Sequence, residues 1–286
     1  MKKLIVAKNI GFCFGVKRAV EKTEELLSSL KSIATVGNIV HNPLVMENLK
    51  SKGLKVYDSI DMVKDENFLI RSHGIPKRDI EKLKRFNIKI YDMTCPFVKK
   101  IHKLVENLTK DKYKIFIVGN KKHPEVLGIK GYGKSIVVVE NVKELKKYKN
   151  ININKLAIIG QTTLTFENYI KTVKRILNIL KAKEFLVINT ICKVTEDREK
   201  ESFQIAKLVD AVLVLGGKNS SNTKKIFRIC KKECKNTFFV EKFSDLSKIN
   251  LDIFKNVGVT SGTSTPNFFI IEIIEYLKKI GYKEVE

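Results

Sequence analysis

The sequence lacks several features that would assign it quickly to a class. No apolar run approaches the ~18 residues of a transmembrane helix, so no membrane association is expected. The start, MKKLIVAKN, is apolar only from Leu4 to Ala7, which is shorter than the ~7–15 residues of a signal-peptide core. A G-x-x-x-x-G-K-[ST] phosphate loop and a linker rich in Pro, Gly or Ser are also absent. These absences predict a cytoplasmic protein whose parts pack tightly together.

The five cysteines lack the spacing of a metal-binding or redox pair. None lies in a C-x-x-C motif, which argues against a zinc ribbon and against a thioredoxin-like pair. Thiols stay reduced in the cytoplasm, so disulfides are not expected either. Cys230 and Cys234 are four residues apart in KIFRICKKECK, and we interpret them as an accessible thiol pair on a surface helix. Three isolated cysteines remain to be explained.

The net charge of +24 is large, yet it has an ordinary explanation. A basic excess attracts anionic ligands and acidic proteins, and it is also typical of nucleic-acid-binding proteins. The lysines, however, are scattered through segments such as KTVKRILNILKAK, at spacings that face solvent on amphipathic helices. No basic tract interleaved with aromatic residues is present. We therefore favour solvated helix faces over a nucleic-acid interface.

Short hydrophobic runs that end in polar loops alternate with amphipathic helical stretches along the whole chain. Examples of the runs are LIVAKN, SIATVGN, NFLIRSHG, YKIFIVGN, KLAIIGQ and AVLVLGG. This alternation predicts an α/β fold with mostly parallel sheets. The polar loops fall into three comparable sets, which predicts three similar units over residues 1–94, 95–191 and 192–286, the last with a C-terminal helix. The first strand can join either the first or the third unit.

Each set contains one cysteine that follows a strand. The three are Cys13 in NIGFCFG, Cys95 in DMTCP and Cys192 in NTIC, separated by 82 and 97 positions. Ligands of parallel sheets bind at the carboxyl ends of the strands, so the loops of three units could face one central cavity. Three thiolates there could hold three corners of an iron–sulfur cubane and leave one iron open. The glycines near Cys13 would let the backbone approach a cluster, while Phe12 and Phe14 would exclude water. The alternative, a small buried apolar residue, fits one cysteine better than three equivalent ones.

The other loops carry neutral polar and imidazole groups. His41, His73 and His123 lie in them, whereas His102 lies in a predicted helix and is interpreted as structural. Further hydroxyl and amide groups are contributed by Thr162, Thr163, Ser220, Ser221, Asn222 and Ser264. Such a ring suits a phosphate or diphosphate. Each of the serines and threonines could instead be a helix N-cap, and Thr162, Thr163 and Ser264 are the strongest candidates for that alternative.

One carboxylate, Glu125 in KKHPEVLG, lies in such a loop. A glutamate beside His123 at the end of a strand is a candidate proton donor, and a surface glutamate is the alternative.

Nine sequence blocks together resemble one known family. They are GFCFGVKRAV, VHNPLV, RSHGIP, DMTCPFV, GNKKHPEVLG, GQTTLT, NTIC, GGKNSSNT and SGTSTP, in family order from residue 9 to residue 266. Each block alone is weak, but nine in order are specific. The chain is similar to the 4-hydroxy-3-methylbut-2-enyl diphosphate reductases, which catalyse the last step of the non-mevalonate isoprenoid pathway.

The resemblance implies a trefoil of three α/β units around an oxygen-sensitive [4Fe-4S] cluster. It makes Cys13, Cys95 and Cys192 the cluster ligands. It makes Glu125 the catalytic acid, with Thr162 near the substrate hydroxyl and in the proton path, and Thr163 in a supporting position. The residues implied to hold the diphosphate are His41, His73, His123, Ser220, Ser221, Asn222 and Ser264.

The implied reaction is reductive dehydroxylation of (E)-4-hydroxy-3-methylbut-2-enyl diphosphate to isopentenyl and dimethylallyl diphosphate. A low-potential ferredoxin or flavodoxin is the implied electron donor, which suits a basic surface, and a monomer is expected. Two departures from the family pattern are KVTEDRE after Cys192 and Thr263 in SGTSTP. Neither changes a proposed ligand.

Two rival interpretations stay open at this point. A basic nucleic-acid-binding protein with a structural metal predicts salt-dependent binding to nucleic acid. A cysteine-dependent transferase acting on a phosphorylated substrate predicts that a single cysteine matters, with Glu125 and His123 activating it. The missing zinc-finger spacing and the missing aromatic platforms count against the first, and the equivalence of the three cysteine loops counts against the second.

Overall fold

The computed structural model describes residues 1–30, 32–149 and 151–285. Within this part of the chain, the strands are β1 Lys2–Val6, β2 Ile33–Val36, β3 Leu54–Tyr57, β4 Asn67–Ile70, β5 Lys89–Asp92, β6 Lys114–Val118, β7 Ile136–Val139, β8 Ile153–Gly160, β9 Ala182–Val187, β10 Ala211–Leu215, β11 Thr237–Val240, β12 Asn256–Ser261 and β13 Tyr282–Val285. The helices are α1 Phe14–Ser29, α2 Pro43–Ser51, α3 Lys77–Arg85, α4 Pro96–Lys110, α5 Pro124–Lys130, α6 Phe166–Ile179, α7 Lys193–Leu208, α8 Ser221–Glu233 and α9 Asn267–Lys279.

The strands form three separate sheets. Their strand orders are β3-β2-β4-β5, β7-β6-β8-β9 and β11-β10-β12-β1-β13, which we call the first, second and third sheet. Every strand pairing in the described residues is parallel, for example Ile115 with Ile136 and Val212 with Gly258. The predicted fold class of three α/β units with parallel sheets is confirmed.

The chain divides into two compact units. One unit comprises Met1–Arg18, Val40–Lys52 and Lys193–Glu286 and contains the third sheet. The other comprises Ala19–Ile39 and Gly53–Cys192 and contains the first and second sheets. The domain boundaries predicted at residues 94 and 191 stay a prediction. The first strand, β1, pairs with β12 and β13, so the open choice for this strand is resolved in favour of the C-terminal sheet.

Buried strands and one apolar face of each helix make the cores. All five residues of β10 are buried, because a central strand of a parallel sheet is covered on both faces. On α9, the residues Phe269, Ile270, Ile273 and Leu277 recur at helical spacing and pack on one side of this sheet. The helices thereby fix the strand ends, and with them the loops that follow.

Cys230 and Cys234 pack in a second core cluster of the third sheet, separate from the one that contains α9. Cys230 is 0% exposed and lies against Val212, Val214 and Ala206, and Cys234 is buried with it. Burial raises the pKa of the Cys230 thiol to about 12. The predicted accessible thiol pair is therefore wrong, because helix α8 turns this face toward β10.

Candidate functional site

The three predicted cysteines lie in loops of the same architecture. Cys13 directly precedes α1, Cys95 is the N-cap residue of α4, and Cys192 directly precedes α7. In each case the backbone N–H of the cysteine donates to a carbonyl oxygen two residues beyond the end of a neighbouring strand. The acceptors are Thr263 at 3.1 Å for Cys13, Ser72 at 2.9 Å for Cys95 and Thr162 at 2.9 Å for Cys192. The strands concerned are β12, β4 and β8.

These hydrogen bonds show how the repeat is built. Each cysteine follows a strand, β1, β5 or β9, that pairs with the strand carrying the acceptor loop. The sequence pattern assigned each cysteine to the same unit as the polar loops that follow it. In the structure, Cys95 and Cys192 instead follow the last strands of the first and second sheets, whose polar loops precede them in the chain. Cys13 follows a strand of the third sheet, whose polar loops lie near the C-terminal end of the chain.

The three thiols also share their exposure. Cys13, Cys95 and Cys192 are all partly exposed, and none of the described cysteines is in a disulfide. Each lies at the start of a helix, where the peptide dipoles favour negative charge. Partly exposed thiols held at helix starts by a fixed backbone are suited to bind a soft metal centre as thiolates.

Gly11, two residues before Cys13, has a backbone conformation that favours glycine. Gly11 has φ +83°, and a Cβ there would lie 2.4 Å from Asn267 Oδ1. Its N–H donates to Ser261 Oγ at 2.8 Å. The predicted water exclusion by two phenylalanines holds at most for Phe12, which is partly buried, because Phe14 is 63% exposed.

A second kind of loop carries the predicted histidine or serine five residues beyond the end of a strand. His41 follows β2, His123 follows β6 and Ser220 follows β10. Each is followed within two residues by a helix, α2, α5 or α8. Ser220 accepts the N–H of Thr223 at 3.3 Å as an N-cap, and Ser221 and Asn222 begin the helix.

His123 is the N-cap residue of α5 and is buried. Its Nδ1 accepts the N–H of Glu125 at 3.3 Å. A nitrogen that accepts a hydrogen bond carries no proton in the neutral ring, so the proton lies on Nε2. The Nε2–H can therefore serve as a donor to an anion.

The third kind of loop follows β4, β8 and β12 and carries His73, Thr163 and Ser264 three residues beyond the strand. The rings of His73 and His123 meet edge to face with centroids 5.4 Å apart. In the other unit, Ser264 Oγ donates to the carbonyl of His41 at 3.5 Å, and a Cβ on Gly217 would lie 2.2 Å from the same oxygen. Polar groups of the second and third kinds of loop thus lie close together in both units. They are two imidazole rings in one unit, and the Ser264 hydroxyl and the His41 main-chain carbonyl in the other.

The N-cap alternative for Thr162, Thr163 and Ser264 is wrong. Helix α6 is capped by Thr165, and the N-cap position of α9 is Pro266, which offers no side-chain hydrogen bond. Thr162 is buried and bonded to Glu125, and Thr163 Oγ1 accepts a hydrogen bond from Gln161 Nε2 at 2.9 Å.

Glu125 is buried, with 2% of its surface exposed. Its Oε1 accepts the N–H of Thr162 at 2.7 Å, and its Oε2 accepts the Thr162 hydroxyl at 2.6 Å. Burial raises the pKa of the Glu125 carboxyl, and the two hydrogen bonds oppose this only in part. A surface glutamate is excluded, and burial favours the protonated form of the carboxyl.

Asn222 occupies the same place in the other unit. It is the second residue of α8, as Glu125 is of α5, and its Oδ1 accepts the N–H of Thr263 at 2.9 Å. Thr263 and Thr162 are each two residues beyond a strand end. The repeat therefore places an amide where the second sheet has an acid, and only the carboxyl can deliver a proton.

Sequence reasoning missed the residues that hold these loops. Gln161 Oε1 accepts the N–H of Asn120 at 3.0 Å, so its side chain joins two loops of the second sheet. Arg198 donates to the carbonyl of Gly11 at 2.8 Å, and Glu201 accepts two N–H groups beyond β1. For Arg198, the sequence offers one indication: it lies in KVTEDRE, the segment that departs from the family pattern. Glu201 lies two residues after this segment.

The fold and these loops define a parallel α/β protein that presents thiols and hydrogen-bonding side chains at the carboxyl ends of its strands. Among the helices of residues 1–30, 32–149 and 151–285, none has the length and apolar character that a bilayer span requires. The family model described as LytB protein matches residues 4–278, so the chain belongs to this family.

Two curated relatives carry the name "4-hydroxy-3-methylbut-2-enyl diphosphate reductase". One from Dictyoglomus thermophilum is 40% identical over 283 residues, covering 99% of this chain and 98% of the relative. One from Thermotoga maritima is 41% identical over 283 residues and covers 98% of both chains.

Solved structures are similar as well. One, described as the structure of (E)-4-hydroxy-3-methyl-but-2-enyl diphosphate reductase, the terminal enzyme of the non-mevalonate pathway, is 36% identical with a TM-score of 0.71, covering 98% of this chain and 100% of that chain. The corresponding reductase from Plasmodium falciparum is 28% identical with a TM-score of 0.90, covering 99% of this chain and 91% of that chain.

Proposed function

We propose that this chain is a 4-hydroxy-3-methylbut-2-enyl diphosphate reductase, which removes the hydroxyl group reductively to give isopentenyl and dimethylallyl diphosphate. The observation that carries the proposal is the cysteine loop that occurs three times, with the same backbone hydrogen bond in each. The relatives of this name, at about 40% identity over nearly the full length, support it.

The proposed cofactor is a [4Fe-4S] cluster held by Cys13, Cys95 and Cys192. The donor set fits such a cluster, because it consists of three partly exposed thiols outside any disulfide. When bound, the cluster supplies single electrons and a Lewis-acidic iron. The chain's own contribution is to fix three thiols on short loops whose backbone is tied to neighbouring strands.

The proposed diphosphate ligands are the polar side chains of the second and third kinds of loop. His123 offers an Nε2–H whose tautomer is set by the N–H of Glu125, and His73 lies against it. Ser264 and His41 lie together in the other unit. Hydroxyl, amide and imidazole donors of these kinds bind phosphate oxygens directly. The residues proposed for this role are His41, His73, His123, Ser220, Ser221, Asn222 and Ser264, with Thr162 also near the substrate.

Glu125 is the proposed proton source. Burial favours its protonated form, and its Oε2 lies 2.6 Å from Thr162 Oγ1. A protonated Glu125 can donate to Thr162, which then turns its own hydrogen away from the carboxyl and toward the departing hydroxyl. Release of the hydroxyl as water needs such a proton, and a second proton completes the product.

The proposed setting follows from charge. We propose a cytoplasmic monomer that receives electrons from a low-potential ferredoxin or flavodoxin, because acidic partners complement a chain of net charge +24. A nucleic-acid partner is not part of the proposal.

The proposal is tested by anaerobic turnover of the hydroxylated diphosphate with reduced methyl viologen. We expect Glu125→Gln to lose about 10²–10⁴-fold in kcat, since it removes the general acid. Glu167→Gln, a loss of an exposed carboxylate at the start of α6, is the matched control and should retain activity. A cluster-loaded native chain that releases neither product would overturn the proposal.

A further inference from the structure

Helix α7 holds the loop that carries Cys13 with two side chains one turn apart. Glu201 accepts the N–H of Lys8 at 2.6 Å and that of Asn9 at 2.9 Å. Arg198 donates to the carbonyl of Gly11 at 2.8 Å and to the carbonyl of Ser261 at 3.1 Å. The loop from β1 to α1 is therefore tied at three successive points before it reaches the thiol.

Arg198 is a buried cation whose hydrogen bonds go to neutral acceptors. It is 2% exposed, and its third contact, at 3.4 Å, is again neutral, the hydroxyl of Ser261. Within the described residues it forms no ion pair with a carboxylate. An arginine stays charged in proteins, and a buried charge is costly unless an opposite charge compensates it.

The missing negative charge can come from the thiol side. Burial lowers the pKa of the Arg198 guanidinium, and the negative charges that Cys13 and Glu201 can carry act against this shift. Glu201 is partly exposed, so solvent screens its charge, and its two oxygens accept the N–H groups of Lys8 and Asn9. Cys13 lies two residues beyond the carbonyl that Arg198 holds.

We propose that Arg198 positions the Cys13 loop and supplies the buried positive charge that stabilises the reduced state of the redox centre bound through Cys13. The inference rests on the proposed function, because it needs a cluster at that thiolate. One electron from a low-potential donor enters the centre, with no bond formed or broken, and increases its negative charge by one. A fixed cation nearby makes that step more favourable.

The expected consequence is a change of midpoint potential. Removing the charge should lower the ratio of reduced to oxidised cluster at a fixed potential about tenfold, which corresponds to ~59 mV for a one-electron couple. A purely structural role for Arg198 would alter stability or cluster content and leave this ratio unchanged.

The experiment is an anaerobic redox titration followed by EPR on the reconstituted full chain, normalised to iron content. Arg198→Gln keeps donors for the two carbonyls without the charge and should show the tenfold lower ratio. Arg198→Lys keeps the charge and should titrate close to the native chain. Lys200→Met is the matched control, because Lys200 is on the same helix with its side chain 68% exposed, and it should cause no shift.

The outcomes separate the two proposals. If Arg198→Gln does not fold, Arg198→Met takes its place as a second variant that removes the charge and keeps a long unbranched side chain. A neutral variant with full iron content and the native potential overturns the role of Arg198 and leaves the proposed function standing. A native chain that binds no iron and sulfide overturns both.

Discussion

Glu125 illustrates at the residue scale how position changes chemistry. A glutamate in a lysine-rich segment is ordinarily a solvated surface group, yet this one is buried and bonded twice to Thr162. Thr162, which donates to both carboxyl oxygens, lies 37 residues further along the chain. The motif HPE identified the residue as a candidate, but its burial is a tertiary effect that no local pattern contains.

The raised pKa of Glu125 predicts a pH dependence of stability. The ordinary pKa is 4.5, and below it the carboxyl is protonated in both the folded and the unfolded chain. As the pH rises above 4.5, the unfolded chain releases the proton while the folded chain retains it, so the free energy of unfolding falls. Glu125→Gln has no carboxyl to ionise, so it lacks this pH-dependent loss. We therefore expect its free energy of unfolding, relative to that of the native chain, to grow with pH by at most ~1.4 kcal/mol per pH unit.

Urea unfolding of the cluster-free chain between about pH 4.5 and pH 8 measures this difference. Glu167→Gln serves as the surface control and should run parallel to the native chain. Parallel curves for the native chain and Glu125→Gln would show that Glu125 ionises in the folded chain as easily as in the unfolded one.

Strands and loops are the scale at which the sequence was most informative. Hydrophobic runs such as AVLVL and IATV became buried parallel strands, because their residues are covered on both faces of a sheet. The loops after these runs carried the predicted polar residues. The runs did not predict which strand pairs with which. Lys3 of β1 pairs with Asn256 of β12, for example, and no local sequence pattern indicates a pairing over that separation.

The loop before Cys13 gives a stability prediction. Gly11→Ala should destabilise the chain by ~1–2 kcal/mol for its positive φ, and by ~1–3 kcal/mol more for the contact with Asn267. Gly281→Ala is the matched control in the same unit, because Gly281 has φ +96° but no heavy atom within 4 Å of the added Cβ. The midpoints of urea unfolding measure both losses.

A double variant isolates the contact. Gly11→Ala combined with Asn267→Ala should recover the excess over Gly281→Ala but keep the cost of the positive φ. Equal losses for Gly11→Ala and Gly281→Ala would mean that the loop moves away from α9 without cost.

At the scale of the whole molecule, one loop plan is used three times with different side chains. The three cysteines keep the same backbone hydrogen bond, whereas the position of Glu125 is occupied by Asn222 in the third sheet. The sequence identified the cysteines because three equal residues recur. The loops that carry Glu125 and Asn222 were predicted to be comparable, but the correspondence of these two residues was not predicted, because unequal residues hide a repeat. The buried position of Arg198 was not predicted either, because a charged residue on a helix is usually solvated.

The measurement that tests the central claim most directly is iron and acid-labile sulfide per chain after anaerobic purification. The native chain should contain about four of each, and Cys13→Ser, Cys95→Ser and Cys192→Ser should each lose the cluster. Cys234→Ala, which changes a buried core thiol outside the cysteine loops, should retain it. Zinc in place of iron, or no metal after anaerobic reconstitution of the native chain, would contradict the account.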